Sequence, residues 1–452
     1  MGSFSGLNIA LSALYAQRRA LDVTGQNVAN VNTEGYTRQR VNMVSDAGPL
    51  TAAIHARWTG TGQGVRSDQV QRLRDQFLEL RGLQEHASDA TLRKSAVNLQ
   101  TIELAFAEPA DTALAAQLAD FWAGWDDVAN RPDDVAARAQ LVQRATTLAS
   151  SFNQLDNTLG ALADANLAQA DATIAEINSM ADGVAELNTR IQSAINGGFS
   201  PTDLMDQRDV LVNRLSEGIG VTIRAGEAGA TDVFVDGTAL VRGPRAEHLQ
   251  LVVTGATAQV TWVKDNAPAK ASGGVGGMLN TVNDIVPRYR AGMNAVATKL
   301  ETDVNTLHLT GFDKAGAAGL DFFDFDPMVG LSVNPLIVAD PGRVAASSIP
   351  GGGRDGSLAA KMAELTGPDT DYRDLVVRLG VEAQTANRRV EIQSSITAQI
   401  DAARESEAGV NLDEEMTNML AYQHAYEAAA RMITTVDQAL DTLINRTGLV
   451  GR

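Results

Sequence analysis

Apolar residues recur at every seventh position near both ends of the chain. Leu412, Met419, Tyr426, Ile433 and Leu440 form one row, and Glu415, Tyr422, Ala429, Val436 and Leu443 form a second row three residues on. This spacing predicts a helix carrying an a/d seam over about four heptads. Leu7, Leu14, Leu21 and Val28 keep the same period at the other end, with Ala10 and Leu11 widening the stripe. Two seams at opposite ends of a sequence predict that the ends pair with each other.

Between them the pattern is first helical. The stretch Asn27-Val28-Ala29-Asn30-Val31-Asn32-Thr33-Glu34-Gly35-Tyr36-Thr37-Arg38 is rich in residues that tolerate left-handed backbone or bond their own main chain, so the first helix ends there in an ordered loop. Gly60, Gly62 and Gly64 punctuate an extended segment, and a helix is expected from Gln69 to Phe106 with Leu92, Leu99, Ile102 and Phe106 on one face. Pro109 closes it. A helix from Thr112 to Ala129 stops before Pro132, and Asp133 and Asp134 favour the start of a long one reaching Asn196. Within it Ile177, Val184 and Ile191, with Met180, Leu187 and Ala194, repeat the heptad.

The period then changes to two. Val221 and Ile223, Val233 and Val235, Leu249, Leu251 and Val253, and Val260 and Trp262 alternate as half-buried strands do, with a hairpin turn at Asp236-Gly237. Glycines 273, 274, 276 and 277 read as a turn leading into helix from Met278 to Leu309, interrupted at Pro287, which cannot donate to the helical ladder. Residues 311–356 read as irregular, 372–404 as helix, and Gly409 as a break before the last seam. The pattern predicts a mainly α fold. Paired terminal helices form a coiled-coil domain (1–40 with 405–452), an elongated helical bundle forms the core (41–218 with 273–404), and 219–272 form a small antiparallel β subdomain.

Composition narrows the function. With 452 residues and 44% hydrophobic content the chain is long enough for roughly two to four domains. A net charge of -18 argues against a nucleic-acid partner, whose phosphates call for clustered Lys and Arg. There is no cysteine, and His55, His86, His248, His308 and His424 are scattered, which leaves little for a metal centre. No apolar run is long enough for a membrane span, and Arg18 and Arg19 follow the first apolar residues, the reverse of a secretory signal. The Gly60 to Gly64 and Gly273 to Gly277 stretches lack the spacing of phosphate loops. Asp321, Asp324 and Asp326 alternate with phenylalanines and lack the distal glutamate of a calcium loop, so they read as solvated acids beside buried rings. No protease or hydrolase motif occurs. No catalytic, cofactor or metal site is expected.

The residues also carry a resemblance. Gly6-Leu7-Asn8 and the Asn27 to Tyr36 stretch resemble the N-terminal signature of bacterial flagellar rod, hook and hook-associated proteins. The interior Asp206-Gln207-Arg208-Asp209, Val235 to Val241, Gly273 to Leu279, Val304-Asn305-Thr306-Leu307-His308 and Phe322-Phe323 resemble the hook-associated protein 1 family. Gly409 to Glu415 and Tyr422-Gln423-His424-Ala425-Tyr426 resemble the C-terminal signature of these axial proteins. Glu34 stands where the family often has proline. Phe323 is followed closely by Leu331-Ser332-Val333-Asn334-Pro335, where longer members carry outer domains, so a compact member is implied.

That resemblance implies a structural, non-enzymatic junction ring between flagellar hook and filament, exported by the flagellar type III system to the cell exterior. The terminal pair becomes the axial coiled coil. Self-association, the hook protein, the second junction protein and an export chaperone are the implied partners. The interface is expected to use Leu7, Leu11, Leu14, Leu21 and Val28, then Asn30, Asn32, Gly35, Tyr36 and Arg38 of the loop. At the C-terminus it is expected to use Leu412, Met419, Tyr422, Tyr426, Ile433, Leu440 and Leu443. Another axial protein, an adhesin or enzyme on a flagellin-like scaffold, and an intracellular helical adaptor are the competing readings. Taken alone, a heptad seam is most often the core of an ordinary bundle.

Overall fold

A computed structural model describes residues 3–46, 62 and 64–446. His55, Gly60, Thr61 and Gln63, and the closing residues 448–452, lie outside the described residues. In chain order the elements are α1 (Ser3–Ala29), β1 (Gln39–Ser45), β2 (Val65–Arg72), α2 (Gln76–Phe106), α3 (Leu114–Asn130), α4 (Val135–Asn196) and α5 (Thr202–Ile219). Strands β3 (Thr222–Ala225), β4 (Thr231–Val235), β5 (Thr238–Arg242), β6 (Arg245–Ala246), β7 (Leu249–Thr254), β8 (Thr257–Trp262) and β9 (Pro268–Ala269) follow. Then come α6 (Gly273–Asn280), α7 (Val286–His308), β10 (Phe323–Asp326), β11 (Gly330–Val333), α8 (Pro335–Ala339), α9 (Ser357–Ala363), α10 (Gly367–Ala408) and α11 (Leu412–Asp441).

By packing, the chain divides into two compact units: Met1–His86, Ile177–His248 and Ser395–Arg452 in the first, Ala87–Glu176 and Leu249–Ser394 in the second. The strands read between 219 and 272 form two antiparallel sheets rather than one. Their orders are β3-β4-β5-β6 in the first unit and β7-β8-β9 in the second.

In the first unit α1 and α11 lie along each other over most of their length. The end of α1 meets the start of α11, since Asn27 bonds Glu415, so the two run antiparallel. The side of α1 that becomes fully buried is not the leucine row. It carries Ala10, Ala16, Ala20, Val23 and Thr24, while Leu7, Leu14, Leu21 and Val28 are half-buried. The cause is a second neighbour: Ala20 and Val23 pack on Val41, Met43 and Val70 of the β1–β2 hairpin as well as on Tyr422. The expected helix from Gln69 instead begins at Gln76. Residues 65–72 are drawn into β2 by pairing with β1, Val41 facing Val70, and the Asp75 carboxylate caps the helix by accepting from the amides of Phe77 at 2.7 Å and Leu78 at 3.1 Å. The interior heptad holds, with Ile177, Val184 and Ile191 fully buried.

The second unit is built on one aromatic and aliphatic core. Phe121, Trp125, Phe322 and Phe323 interlock, with Phe121 and Phe323 centroids 5.4 Å apart, and Ile102, Leu141, Leu148, Tyr289, Leu300 and Tyr372 surround them. His308 is wholly buried here. Its Nδ1 donates to Leu320 O at 2.5 Å and its Nε2 accepts from the amide of Ala345 at 2.8 Å, so the ring is held neutral, and burial pushes its pKa down to about 4. Gly273, Gly274, Gly276 and Gly277 are helical, not a turn. A Cβ at Gly277 would lie 2.7 Å from Lys94 Cβ and 2.8 Å from Thr91 O, so glycine lets α6 cross α2 at close range. The irregularity expected at Pro287 falls just before it, as a π-helical turn over Thr281–Ile285. Asp321, Asp324 and Asp326 face solvent beside the buried rings of Phe322 and Phe323.

Candidate assembly interface

Heptad rows on α1 and α11 bring the two ends of the chain together, and a polar junction fixes them where α1 stops. Asn27 stands at its centre, fully buried. Its Nδ2 donates to Gln39 O and to Glu415 Oε2, both at 2.9 Å; its Oδ1 accepts from the Tyr36 hydroxyl at 2.9 Å and from the amide of Gln39 at 3.0 Å. All four bonding positions of one amide are satisfied. Glu415, with 3% of its side chain exposed, is also held by Arg38 at 2.7 Å, and Arg38 reaches Glu414 at 2.8 Å. Asn411 starts α11 by accepting from the amides of Asp413 and Glu414.

The loop that carries Tyr36 and Arg38 is a chain of local turns. The amide of Thr33 donates to Asn30 O at 2.9 Å, the amide of Tyr36 donates to Thr33 O at 3.1 Å, and Asn30 Nδ2 caps Gln26 O at 3.0 Å. Gly35 has φ +78°, and a Cβ there would overlap the Val210 side chain, so glycine is required on both counts. The main chain of Arg38 donates to Ala408 O and accepts from Leu73, both at 2.9 Å.

A second layer of charge lies beneath. Arg72 contacts Asp206 at 2.8 Å and Asp209 at 2.6 Å; Arg74 pairs with Asp209 and with Glu79; Arg404 pairs with Glu79 at 2.7 Å. Burial, aided by Asp206, Asp203 and Glu415, pushes the Tyr36 hydroxyl up to about 12, so it stays protonated and donating. Burial raises the pKa of Asp206 and lowers that of Arg208, which donates to Asn188 and Gly229 O. A cleft of about 490 Å³ opens between the 31–37 loop and residues 401–410.

The residues expected at an interface thus divide. Tyr36 and Arg38 serve this internal junction, as do Asn30 and Gly35 through the turns. Asn32 is exposed. Met419, Tyr422, Tyr426, Ile433 and Leu440 are half-buried along the seam facing α1, as are Leu7, Leu14, Leu21 and Val28 on α1. Leu11 and Tyr15 on α1 remain 40% and 60% exposed, and Leu412, Met416, Leu420 and Leu443 on α11 are 46%, 57%, 54% and 58% exposed. Asn27, Arg72, Arg74, Asp206, Asp209 and Arg404 had no part in the expected site. The visible signal for the junction was Glu415, an acid within an apolar heptad row.

Among the described residues no group of three or more His, Asp or Glu is placed to hold a metal ion, and no helix is long and apolar enough to cross a membrane.

Three family models match in chain order. "Flagella basal body rod protein" covers residues 7–37, "Flagellar hook-associated protein FlgK helical domain" covers 99–323, and "Flagellar basal body rod FlgEFG protein C-terminal" covers 404–446. The flagellar hook-associated protein 1 of Bacillus subtilis (strain 168) is 29% identical over 504 residues, spanning 100% of this chain and 99% of the relative. That of Escherichia coli (strain K12) is 25% identical over 549 residues, spanning 97% and 99%. The solved flagellar hook junction protein FlgK from Burkholderia pseudomallei aligns at 24% identity with a TM-score of 0.49, over 54% of this chain and 46% of that one. With relatives matched end to end, and with the N-terminal loop, the helical middle and the C-terminal helix each matching a flagellar model in its place, the chain belongs to the flagellar hook-associated protein 1 family and is a structural junction component of the bacterial flagellum.

Proposed function

We propose that this chain forms the ring joining hook to filament outside the cell, that it does so without catalysing a reaction, and that the α1–α11 pair is its assembly element. The observation that carries this reading is the division of apolar residues on the pair. Small side chains fill the contact of α1 with its own chain, and larger ones remain partly or wholly uncovered on both helices: Leu7, Leu11, Leu14, Tyr15 and Leu21 on α1, Leu412, Met416, Leu420 and Leu443 on α11. Exposed apolar stripes of this kind mark interaction surfaces. Neighbouring copies cover them in the ring, with the hook protein on one side and the second junction protein on the other. Before type III export an export chaperone shields the α11 face by helix-in-groove binding. Deleting the gene should leave hooks without filaments while monomeric filament protein accumulates in the medium. Normal filaments in that strain would overturn the function.

A further inference from the structure

One cleft of the first unit combines cations with apolar side chains in a chain whose net charge is -18. It has a volume of about 550 Å³ and is lined by Arg19 of α1, Arg72 and Arg74 at the end of β2, and Ile195, Phe199 and Met205 around the α4–α5 turn. Phe199 is 73% exposed. Arg72 and Arg74 are held by Asp206, Asp209 and Glu79, and the one acid in the lining, Asp68, turns to Arg66 at 3.6 Å. Arg19 differs from them: its nearest polar partner is the Ser67 hydroxyl at 3.5 Å, and it pairs with no carboxylate among the described residues.

A surface of the opposite character occurs on α11. Helical periodicity places Leu412, Asp413, Met416 and Leu420 within about 100° of one another, on a stripe beside the seam that faces α1. Leu412, Met416 and Leu420 are each about half-exposed. Asp413 is exposed, and its carboxylate has no ion-pair partner among the described residues. Apolar side chains and one free acid on a helix match apolar walls and one free cation in a cleft.

We propose that the Arg19–Phe199 cleft receives the Leu412–Leu420 stripe of a second copy of this chain, Arg19 pairing with Asp413 across the contact. This rests on the reading of the chain as a self-assembling component. The contact is heterologous, cleft to stripe, so each copy uses both surfaces and the interaction propagates around a ring or along a helix. In a chain with a large excess of acid most surfaces of two copies repel. A basic cleft is where an acidic helix face can approach, and the charge pair fixes which cleft and which register.

The chain has no cysteine, which makes the test direct. Phe199→Cys and Met416→Cys are introduced together into the full chain, expressed in the deletion strain, and isolated flagella are treated with a short bis-maleimide. A ladder of covalently joined copies is expected, with none from Met328→Cys paired with Met416→Cys. Assembled junctions without that ladder, or with an equal ladder from the control pair, would overturn the docking and leave the junction function intact. Failure of the unaltered chain to restore filaments would count against both. Charge exchange gives an independent arm. R19E and D413R should each lower the number of filamented cells at least tenfold, and R19E/D413R in one chain should recover most of it, because the reversed pair forms between copies. Circular dichroism melting confirms that R19E folds. Single variants that behave as the parent, or a double variant no better than either single, would refute the pairing.

Discussion

Asn27 and Glu415 stand 388 positions apart in the sequence and share a buried hydrogen bond of 2.9 Å. The amide that makes it also satisfies the main chain of Gln39 and the hydroxyl of Tyr36. Asn27→Ala would leave the Gln39 amide and carbonyl and the Tyr36 hydroxyl without this partner. Each uncompensated buried polar group costs about 1–3 kcal/mol, so a loss of roughly 3 kcal/mol is expected. Urea unfolding followed by a probe in the first unit measures it. A change below about 1 kcal/mol would mean that water replaces the amide.

Burial of His308 makes the stability of the second unit depend on pH. Its folded pKa is lowered to about 4, against about 6.5 in the unfolded chain, so between these values the unfolded state binds the extra proton. The contribution is fully present above about pH 6.5 and is lost as pH falls toward 4, amounting to roughly 2–3 kcal/mol. Denaturant midpoints at pH 7 and pH 4.5 should differ more for the parent chain than for His308→Asn. Equal differences would show that the ring protonates without strain on the fold.

Gly277→Val places a branched side chain against Lys94 Cβ and Thr91 O. Overpacking of this kind costs about 1–3 kcal/mol, which for a unit of this size lowers Tm by roughly 5 °C. Calorimetry should show the shift in one transition only. An unchanged melt would mean that α6 moves off α2 at no cost.

Amides around Leu14 and Ile433, in helices whose seam is only half-buried, should exchange faster in dilute monomer than those around Ile177, Val184, Leu187 and Ile191. Assembly should slow the first group. Equal protection of both groups in the monomer would show that the helix pair is stable without neighbours.

Replacing both Ile433 and Leu440 by Asp sets two charges into the α1–α11 seam. Assembly should fail while the second unit still melts cooperatively, because a charge buried without a partner costs several kcal/mol and its cost is local. Restored filaments would show that the seam is not needed for assembly. Loss of the second unit's transition would show that the seam belongs to the core.

The heptad rows were legible because their period depends only on sequence spacing, and the strands because alternation does too. Which side of α1 would be fully buried was not legible. Alanines 10, 16 and 20 make the closest contacts because the β1–β2 hairpin also packs on α1, and no local pattern reports that partner. For the same reason 69–72 read as the start of a helix although they close β2, and Asp75 marks the true start at Gln76. The glycines at 273–277 suggested a turn by composition, but the close crossing of α6 over α2 gives them another use. In the junction, Tyr36 and Arg38 were expected as contacts to other subunits, and the acid Glu415 interrupts an apolar row. Its partners Arg38 and Asn27 become meaningful once the two ends meet.

Three side chains in the second unit, Asn98, Asn166 and Thr281, bear on how its long helices keep their places. Asn98 donates to Asn166 at 2.9 Å and to Thr281 at 2.7 Å, and Asn166 returns a bond to Asn98 at 3.3 Å, all within buried surroundings. Helices that meet only through aliphatic side chains can slide one turn, about 5.4 Å, and find nearly equivalent contacts. Here such a slip would strand several amide and hydroxyl groups in apolar surroundings, at about 1–3 kcal/mol each. The three side chains act as a lock on the register of α2 against α4, so the two helices resist sliding along each other.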